Sequence, residues 1–373
     1  MTAEYTSKKA HTILVTCPNW VGDVVMATPT LECIRNNFPG DRVIGLIRNY
    51  ARGVVETGPW FDELIEINDK SAGGFIRLIF QLRRLSPDVA FILPNSFRSA
   101  LVARLAGAKK VYGYRRNART ALLTGGPAPW RMNQRIVPRP MVDYYMEICR
   151  SLDFQIPPKI IPRLYCSEAV FQEGERLMEN YGISVGDFVV GMNPGARFGS
   201  SKCWPPAHFA RLAELLVQRL NCKIMLFTGP GENELGQQIV RLSRAEIIFP
   251  GSENINLELL KPLIQRCQLL ITNDTGPRHY AVAFDIPVVV LMGPTDHRFT
   301  NANLEKTIIL RRDLECVPCH DKECALHHSC MEQIVPEEVL QAVEELIEKF
   351  NDIERPVKFS NAPTKKIYGS MNP

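Results

Sequence analysis

The stretch QLLITNDTGPRHYAVAFDIPVVVLMGPTDH (residues 268–297) decides the fold of this chain. Its opening run, Gln268 to Ile271, is short, apolar and closed by polar residues, the mark of a buried strand. Asn273 to Pro277 then punctuates the chain, and a helical pattern follows to Phe284. Pro287 to Leu291, with three valines, is a second buried strand. Two apolar strands joined through one helix make a parallel crossover, and a parallel sheet needs helices on both faces. The prediction is an α/β architecture.

Outward from this unit the rhythm repeats. Before it, strands are predicted at 188–192, 223–227 and 246–249, with helices near 206–219, 232–244 and 257–266. The first half gives strands at 12–16, 42–47, 63–67 and 88–93, and helices at 23–36, 50–57, 73–85 and 97–106. Between the halves the pattern thins into a Pro-rich segment, 125–165, broken by a helix at 141–152. This predicts two doubly wound domains in tandem with a linker near 155–166. The expected division is 1–165, 166–335, and a terminal helix and loose tail at 336–373, the helix packing back on the first domain.

At 373 residues, two domains fit the length. No apolar run reaches the roughly 18 residues of a membrane-spanning helix, and the first residues lack a secretory apolar core. A cytoplasmic protein is expected. The net charge of +4 hides an asymmetry: residues 1–165 carry +10 and residues 166–373 carry −6. Residues 89–142 hold ten Lys/Arg and no Asp or Glu, which predicts an anionic partner there. The stretch contains no recognisable nucleic-acid motif and few stacking aromatics, so nucleic acid is the weaker reading.

Three segments carry chemistry. In NDTGP (273–277), Thr275 and Gly276 open a helix whose N–H groups and dipole suit a phosphate, while capping by Asp274 or Thr275 is the simpler alternative. In MNPGARFGSSKCWP (192–205), Lys202 is placed to neutralise a diphosphate, against the alternative of a solvated loop lysine. In CPNWVGDVVMATP (17–29), Gly22 allows close backbone approach and Asp23 stands at a helix start, as an N-cap or as a general base.

Together these segments resemble the ADP-heptose:lipopolysaccharide heptosyltransferases of glycosyltransferase family 9, in the heptosyltransferase II branch, over about residues 12–350. The resemblance implies a GT-B fold, two Rossmann-like domains facing an interdomain cleft. It implies inverting transfer of heptose from ADP-heptose to the lipopolysaccharide inner core, with no metal or other cofactor required. By position it assigns Asp23 as general base, Lys202 to the diphosphate, Thr275 and Gly276 to the phosphates, and Asp274 to the donor sugar. Glu232 and Ile255 fall at the adenosine pocket. Arg278 departs from the Met common at that position. The basic stretch then becomes the receiver of a Kdo-containing lipid A core, or of anionic lipid at the inner membrane leaflet. The acceptor candidates are Gly22 and, in the basic stretch, Arg98, Arg115 and Arg116, within a patch that includes Arg104, Lys109, Lys110 and Arg119. A relative with another nucleotide sugar or acceptor is the alternative enzyme.

Eleven cysteines are too few for a disulfide scaffold. Four are packed as Cys316, Cys319, Cys324 and Cys330, interleaved with His320, His327 and His328. This spacing admits structural zinc, reduced thiols or a local disulfide, with reduced thiols or a disulfide preferred because only one tight Cys-x2-Cys knuckle is present.

Overall fold

The computed structural model describes residues 11–69 and 71–350. The first five strands are β1 (Thr12–Thr16), β2 (Arg42–Ile47), β3 (Glu63–Glu66), β4 (Val89–Ile92) and β5 (Lys110–Gly113). They form one sheet in the order β3-β2-β1-β4-β5, with every pairing parallel. Strand β1 is central and is buried from Ile13 onward, as a strand covered on both faces must be. The covering helices are α1 (Val21–Asn37), the short α2 (Arg52–Val55), α3 (Ala72–Arg84), α4 (Phe97–Leu105) and α5 (Met141–Arg150). Helix α5 packs on α1. Between β5 and α5 lies a separate antiparallel hairpin, β6 (Arg131–Met132) and β7 (Arg135–Ile136).

The second sheet contains β8 (Val189–Asn193), β9 (Lys223–Leu226), β10 (Ile247–Ile248), β11 (Leu269–Asn273), β12 (Val288–Met292) and β13 (Thr307–Arg311). Its order is β10-β9-β8-β11-β12-β13, again parallel throughout. Strands β8, β11 and β12 are buried at every residue. Helices α6 (Glu168–Asn180), α7 (Pro206–Leu220), α8 (Asn233–Leu242), α9 (Leu260–Arg266), α10 (Gly276–Ala283), α11 (Ser329–Glu332) and α12 (Pro336–Lys349) complete this unit. Proline in the first turn suits α7, α10 and α12, where its missing N–H has no intrahelical partner to lose.

Both sheets follow the order of dinucleotide-binding folds, in which the direction of strand addition reverses once. The reversal falls between β1 and β4 in the first unit and between β8 and β11 in the second. The chain divides at Ile160–Ile161, with Pro138–Pro140 counted with the second unit. The sequence put α12 against the first domain. Within the second unit it packs on α7 and β13, and Val339, Ala342, Val343 and Leu346 are buried in that unit's core. The loose tail expected after Phe350 lies outside the described residues. No helix among the described residues is long and apolar enough to cross a membrane.

Candidate active site

Open α/β sheets bind ligands beyond the C-terminal ends of the strands that flank the reversal, because there the two neighbouring connections diverge to opposite faces. In the first unit those connections follow β1 and β4. The chain leaves β1 through Cys17–Trp20 and enters α1, whose N-cap is Trp20. Asp23 is therefore not the cap the sequence allowed. It lies in the first helical turn, beside Gly22 and the positive end of the helix dipole. Tyr145, on α5, donates its phenolic Oη–H to Asp23 Oδ1 at 3.2 Å. Burial, then the charge of Asp23, pushes the Tyr145 phenol well above its ordinary value, so it stays a donor.

The neighbouring Tyr144 stacks on Tyr114 with ring centroids 3.8 Å apart and donates to Asn95 Oδ1 at 2.8 Å. Arg116 donates to the Tyr144 oxygen at 3.4 Å, which brings this predicted acceptor residue to the same sheet end as Asp23. The other arginines divide. Arg115 is exposed on the loop after β5. Arg98 is paired with Asp69 at 2.8 Å, an acid also held by Arg48 at 2.6 Å. Arg104 donates to the Leu122 carbonyl at 2.6 Å and to Thr124 Oγ1 at 3.0 Å. Arg119 corrects the patch outright: it is fully buried and donates to the Tyr114 carbonyl at 3.0 Å and the Ser96 carbonyl at 3.2 Å. It ties the ends of β4 and β5 together and presents no charge to a surface.

In the second unit the corresponding connections follow β8 and β11. Two buried asparagines close these strands and cross-link the loops that leave them. Asn193 donates to the Phe227 carbonyl at 2.8 Å and accepts from Thr275 Oγ1 at 3.0 Å. Asn273 donates to the Pro194 carbonyl at 2.6 Å and accepts from the Trp204 N–H at 3.2 Å. Thr275 is the N-cap of α10, yet its side chain makes no cap hydrogen bond. Simple capping by Thr275, the alternative left open by the sequence, is not what the hydroxyl does. Helix α10 thus starts at Gly276 with its first N–H groups free of any side-chain cap.

Lys202 is held in place beside this helix start. Its Nζ donates to the Asp274 carbonyl at 2.8 Å and to Asp274 Oδ2 at 3.0 Å, and it lies 5.2 Å from the Phe198 ring centroid. Asp274 also accepts from Arg278 Nη1 at 2.9 Å and from Thr295 Oγ1 at 2.8 Å. Burial alone would raise this carboxyl, but Lys202 and then Arg278 outweigh it and hold Asp274 well below the usual carboxylate range. Two cations and one anion leave a local net charge of +1 at a helix N-terminus, which is a setting for phosphate.

The Lys202 turn is braced from the cysteine loop. The Ser201 N–H donates to the Lys322 carbonyl at 3.1 Å, and Ser201 Oγ to the Asp321 carbonyl at 2.5 Å. His328 Nε2 lies 2.8 Å from the Ser201 carbonyl. A Cβ at Gly199 would fall 2.1 Å from the Lys322 carbonyl oxygen, so only glycine permits this approach. All four loop cysteines are free thiols, Cys330 buried and the other three exposed. Among the described residues no group of three or more His, Cys, Asp or Glu is arranged to hold a metal ion.

Glu232 accepts from the Gly229 N–H at 2.7 Å and lies against Gly195, where an added Cβ would fall 1.8 Å from its carboxylate. Asn233 joins the Glu232 loop to the segment before Ile255, accepting from the Ser252 N–H at 2.7 Å. Ile255 itself is half-buried. Sequence reasoning missed Tyr145, Thr295 and the two cross-linking asparagines. Asn193 and Asn273 stand where β8 and β11 run into the MNPGA and NDTGP motifs, and that position was the available signal.

His279, next to Arg278, is buried, and burial followed by the Arg278 charge depresses its imidazole to about 3. It folds neutral. The unfolded chain binds the extra proton between about pH 6.5 and 3, so stability contributed here is complete above 6.5 and declines as pH falls. One proton is worth about 1.4 kcal/mol per pH unit, or about 3–5 °C for a unit of this size. We expect His279→Gln to lose less thermal stability than wild type between pH 6 and 5, measured by scanning calorimetry. Parallel slopes would remove His279 as a source of acid lability.

The family model for glycosyltransferase family 9 (heptosyltransferase) matches residues 75–329. The chain is 29% identical to lipooligosaccharide heptosyltransferase 2 of Haemophilus influenzae, covering 90% of this chain and 99% of the relative. It is 28% identical to lipopolysaccharide heptosyltransferase 2 of Salmonella typhimurium, covering 90% and 98%. Among solved structures, the ADP-heptose lipopolysaccharide heptosyltransferase II of E. coli matches with a TM-score of 0.76 at 27% identity, covering 91% of this chain and 99% of that one.

Proposed function

We propose a mechanism for this chain, which belongs to glycosyltransferase family 9, the heptosyltransferases, and is a GT-B glycosyltransferase transferring heptose to the lipopolysaccharide inner core. The donor is ADP-heptose and the acceptor is the Kdo-containing lipid A core, with a first heptose receiving the second. Asp23 takes the proton from the attacking heptose hydroxyl. That oxygen forms the new bond to the donor anomeric carbon as the bond to the ADP oxygen breaks on the opposite face, which inverts the centre. Lys202 and the free N–H groups at the start of α10 hold the departing diphosphate. Glu232 and Ile255 receive the adenosine. Gly22, Arg98, Arg115 and Arg116 serve the acceptor. No step is assigned to a metal, and the reaction runs at the cytoplasmic face of the inner membrane.

The observation that carries this reading is the Lys202–Asp274–Arg278 cluster. Its lysine is fixed by a buried acid beside an uncapped helix start, and the residue types suit a diphosphate better than a carboxylate or a neutral sugar. The test is transfer with purified protein and a core truncated to its first heptose, followed by mass spectrometry. Gain of one heptose from ADP-heptose supports the reading. Preferential use of a UDP- or GDP-sugar would overturn the donor assignment.

Tyr145 is a positioning residue in this mechanism, since it touches Asp23 and not the reacting atoms. A hydrogen bond to a charged group contributes about 1.5–3 kcal/mol. Tyr145→Phe is expected to lower kcat about tenfold with KM for both substrates unchanged, because only the orientation of the base is lost. A change in KM alone would place Tyr145 in substrate binding instead.

A further inference from the structure

Among the described residues the hairpin of β6 and β7 belongs to no larger sheet and takes no part in either switch point. Arg131 pairs across from Ile136, and Met132 from Arg135. Asn133 and Gln134 form its two-residue turn with φ of 49° and 64°, the left-handed geometry that matches strand twist in a tight hairpin. Arg131 Nη1 donates to the Gln134 carbonyl at 2.9 Å, and the Val137 N–H to the Trp130 carbonyl at 3.0 Å. These bonds define the shape, yet two strands alone are marginal in water without a covered face.

Residues 130–136 are all exposed. Trp130 is 59% exposed, Met132 69% and Ile136 40%, in a segment where a soluble surface would place polar side chains. Arg131 and Arg135 alternate with them, so each face of the ribbon carries a guanidinium beside an apolar side chain. No carboxylate occurs anywhere in residues 89–142 to neutralise these charges. An aromatic ring, two flexible or branched aliphatic chains and a pair of arginines form the combination suited to a lipid headgroup boundary. There the apolar groups enter the acyl edge and the guanidinium groups remain at the phosphates.

We propose that the 130–136 hairpin docks the protein on an anionic lipid bilayer, with Trp130, Met132 and Ile136 entering the interface and Arg131 and Arg135 held at the headgroups. The proposal rests on the lipid-linked acceptor of the proposed transferase for its purpose, and on the hairpin's own chemistry for its partner. A protein ligand or a second copy of the chain would bury the apolar trio without requiring an anionic surface.

The experiment is cosedimentation of the full chain with phosphatidylglycerol-containing vesicles and with pure phosphatidylcholine vesicles, in the absence of donor and acceptor. Wild type is expected to partition onto the anionic vesicles only, and less at high salt. Arg131→Ala with Arg135→Ala should weaken partition about 25-fold, at about fivefold per basic side chain. Trp130→Ser with Met132→Ser should weaken it about tenfold through lost interfacial burial. In the unmodified background, brominated acyl chains should quench a fluorescence component that Trp130→Phe removes. Equal partition of wild type and both variants, equal binding to neutral vesicles, or a Trp130 signal untouched by brominated lipid would overturn the proposal. Vesicle binding is read without turnover, so its failure leaves the transferase reading intact, and an inactive protein that still binds vesicles separates the two in reverse.

Discussion

Asp23→Asn should lower kcat for heptose transfer by about 10²–10⁴-fold, the range that a positioned general base contributes. The substitution preserves shape and removes one property, the ability to accept a proton. The asparagine can still receive the Tyr145 hydroxyl, so the first turn of α1 keeps its anchor. The proposed diphosphate contacts all come from the second unit, through Lys202 and the start of α10. ADP affinity by calorimetry should therefore match wild type while product formation falls. Turnover at the wild-type rate would remove Asp23 as the base. Loss of ADP binding together with turnover would mean that the residue supports the fold rather than the chemistry.

Legibility in the sequence followed how completely each element is buried. Strands β1, β8, β11 and β12 are continuous apolar runs because helices cover both of their faces, and their boundaries could be read to within a residue or two. Strand β5 begins with an exposed lysine and spans only Lys110–Gly113 at a sheet edge, so no periodic signal accumulates. Helix α6 buries only Gly174 and Met178, which leaves too narrow an apolar stripe to announce a helix. Strand β13 lies at an edge of the second sheet, and its half-buried TIILR looks like any apolar fragment between loops.

The site divided in a similar way. Asp23, Lys202, Asp274, Thr275 and Gly276 each follow a strong strand within a short motif, so position drew attention to those segments and the family resemblance supplied the roles. Tyr145 is 122 residues from Asp23 and reaches it only because α5 packs on α1, which no local pattern encodes. The basic stretch was visible as composition, but composition does not reveal burial. Arg119 counts toward the charge of residues 89–142 and yet spends its donors on backbone carbonyls inside the first unit.

The departure at Arg278 leads to the second large effect. Arg278 is 1% exposed and Asp274 is buried, and Lys202 shares the same carboxylate. Asp274→Asn would leave an ammonium and a guanidinium in one desolvated site without a counter-charge. Removing one partner of a buried ion pair costs about 3–5 kcal/mol, so urea denaturation should register a loss of that size. The pH sign is fixed by the depressed carboxyl. Its contribution is present above the ordinary carboxylate value and is lost as pH falls through the lowered one, so the variant should lack that part of the wild-type acid response. If Arg278 is there to balance Asp274, then Arg278→Met in the Asp274→Asn background should recover stability, although Arg278→Met alone should reduce it. Two losses that simply add would show that the residues act independently. Lys202→Met supplies the functional contrast. It leaves the Arg278–Asp274 pair intact, so the fold should survive while ADP affinity falls. A variant that binds ADP like wild type would remove Lys202 from the diphosphate site and leave it as a structural partner of Asp274 alone.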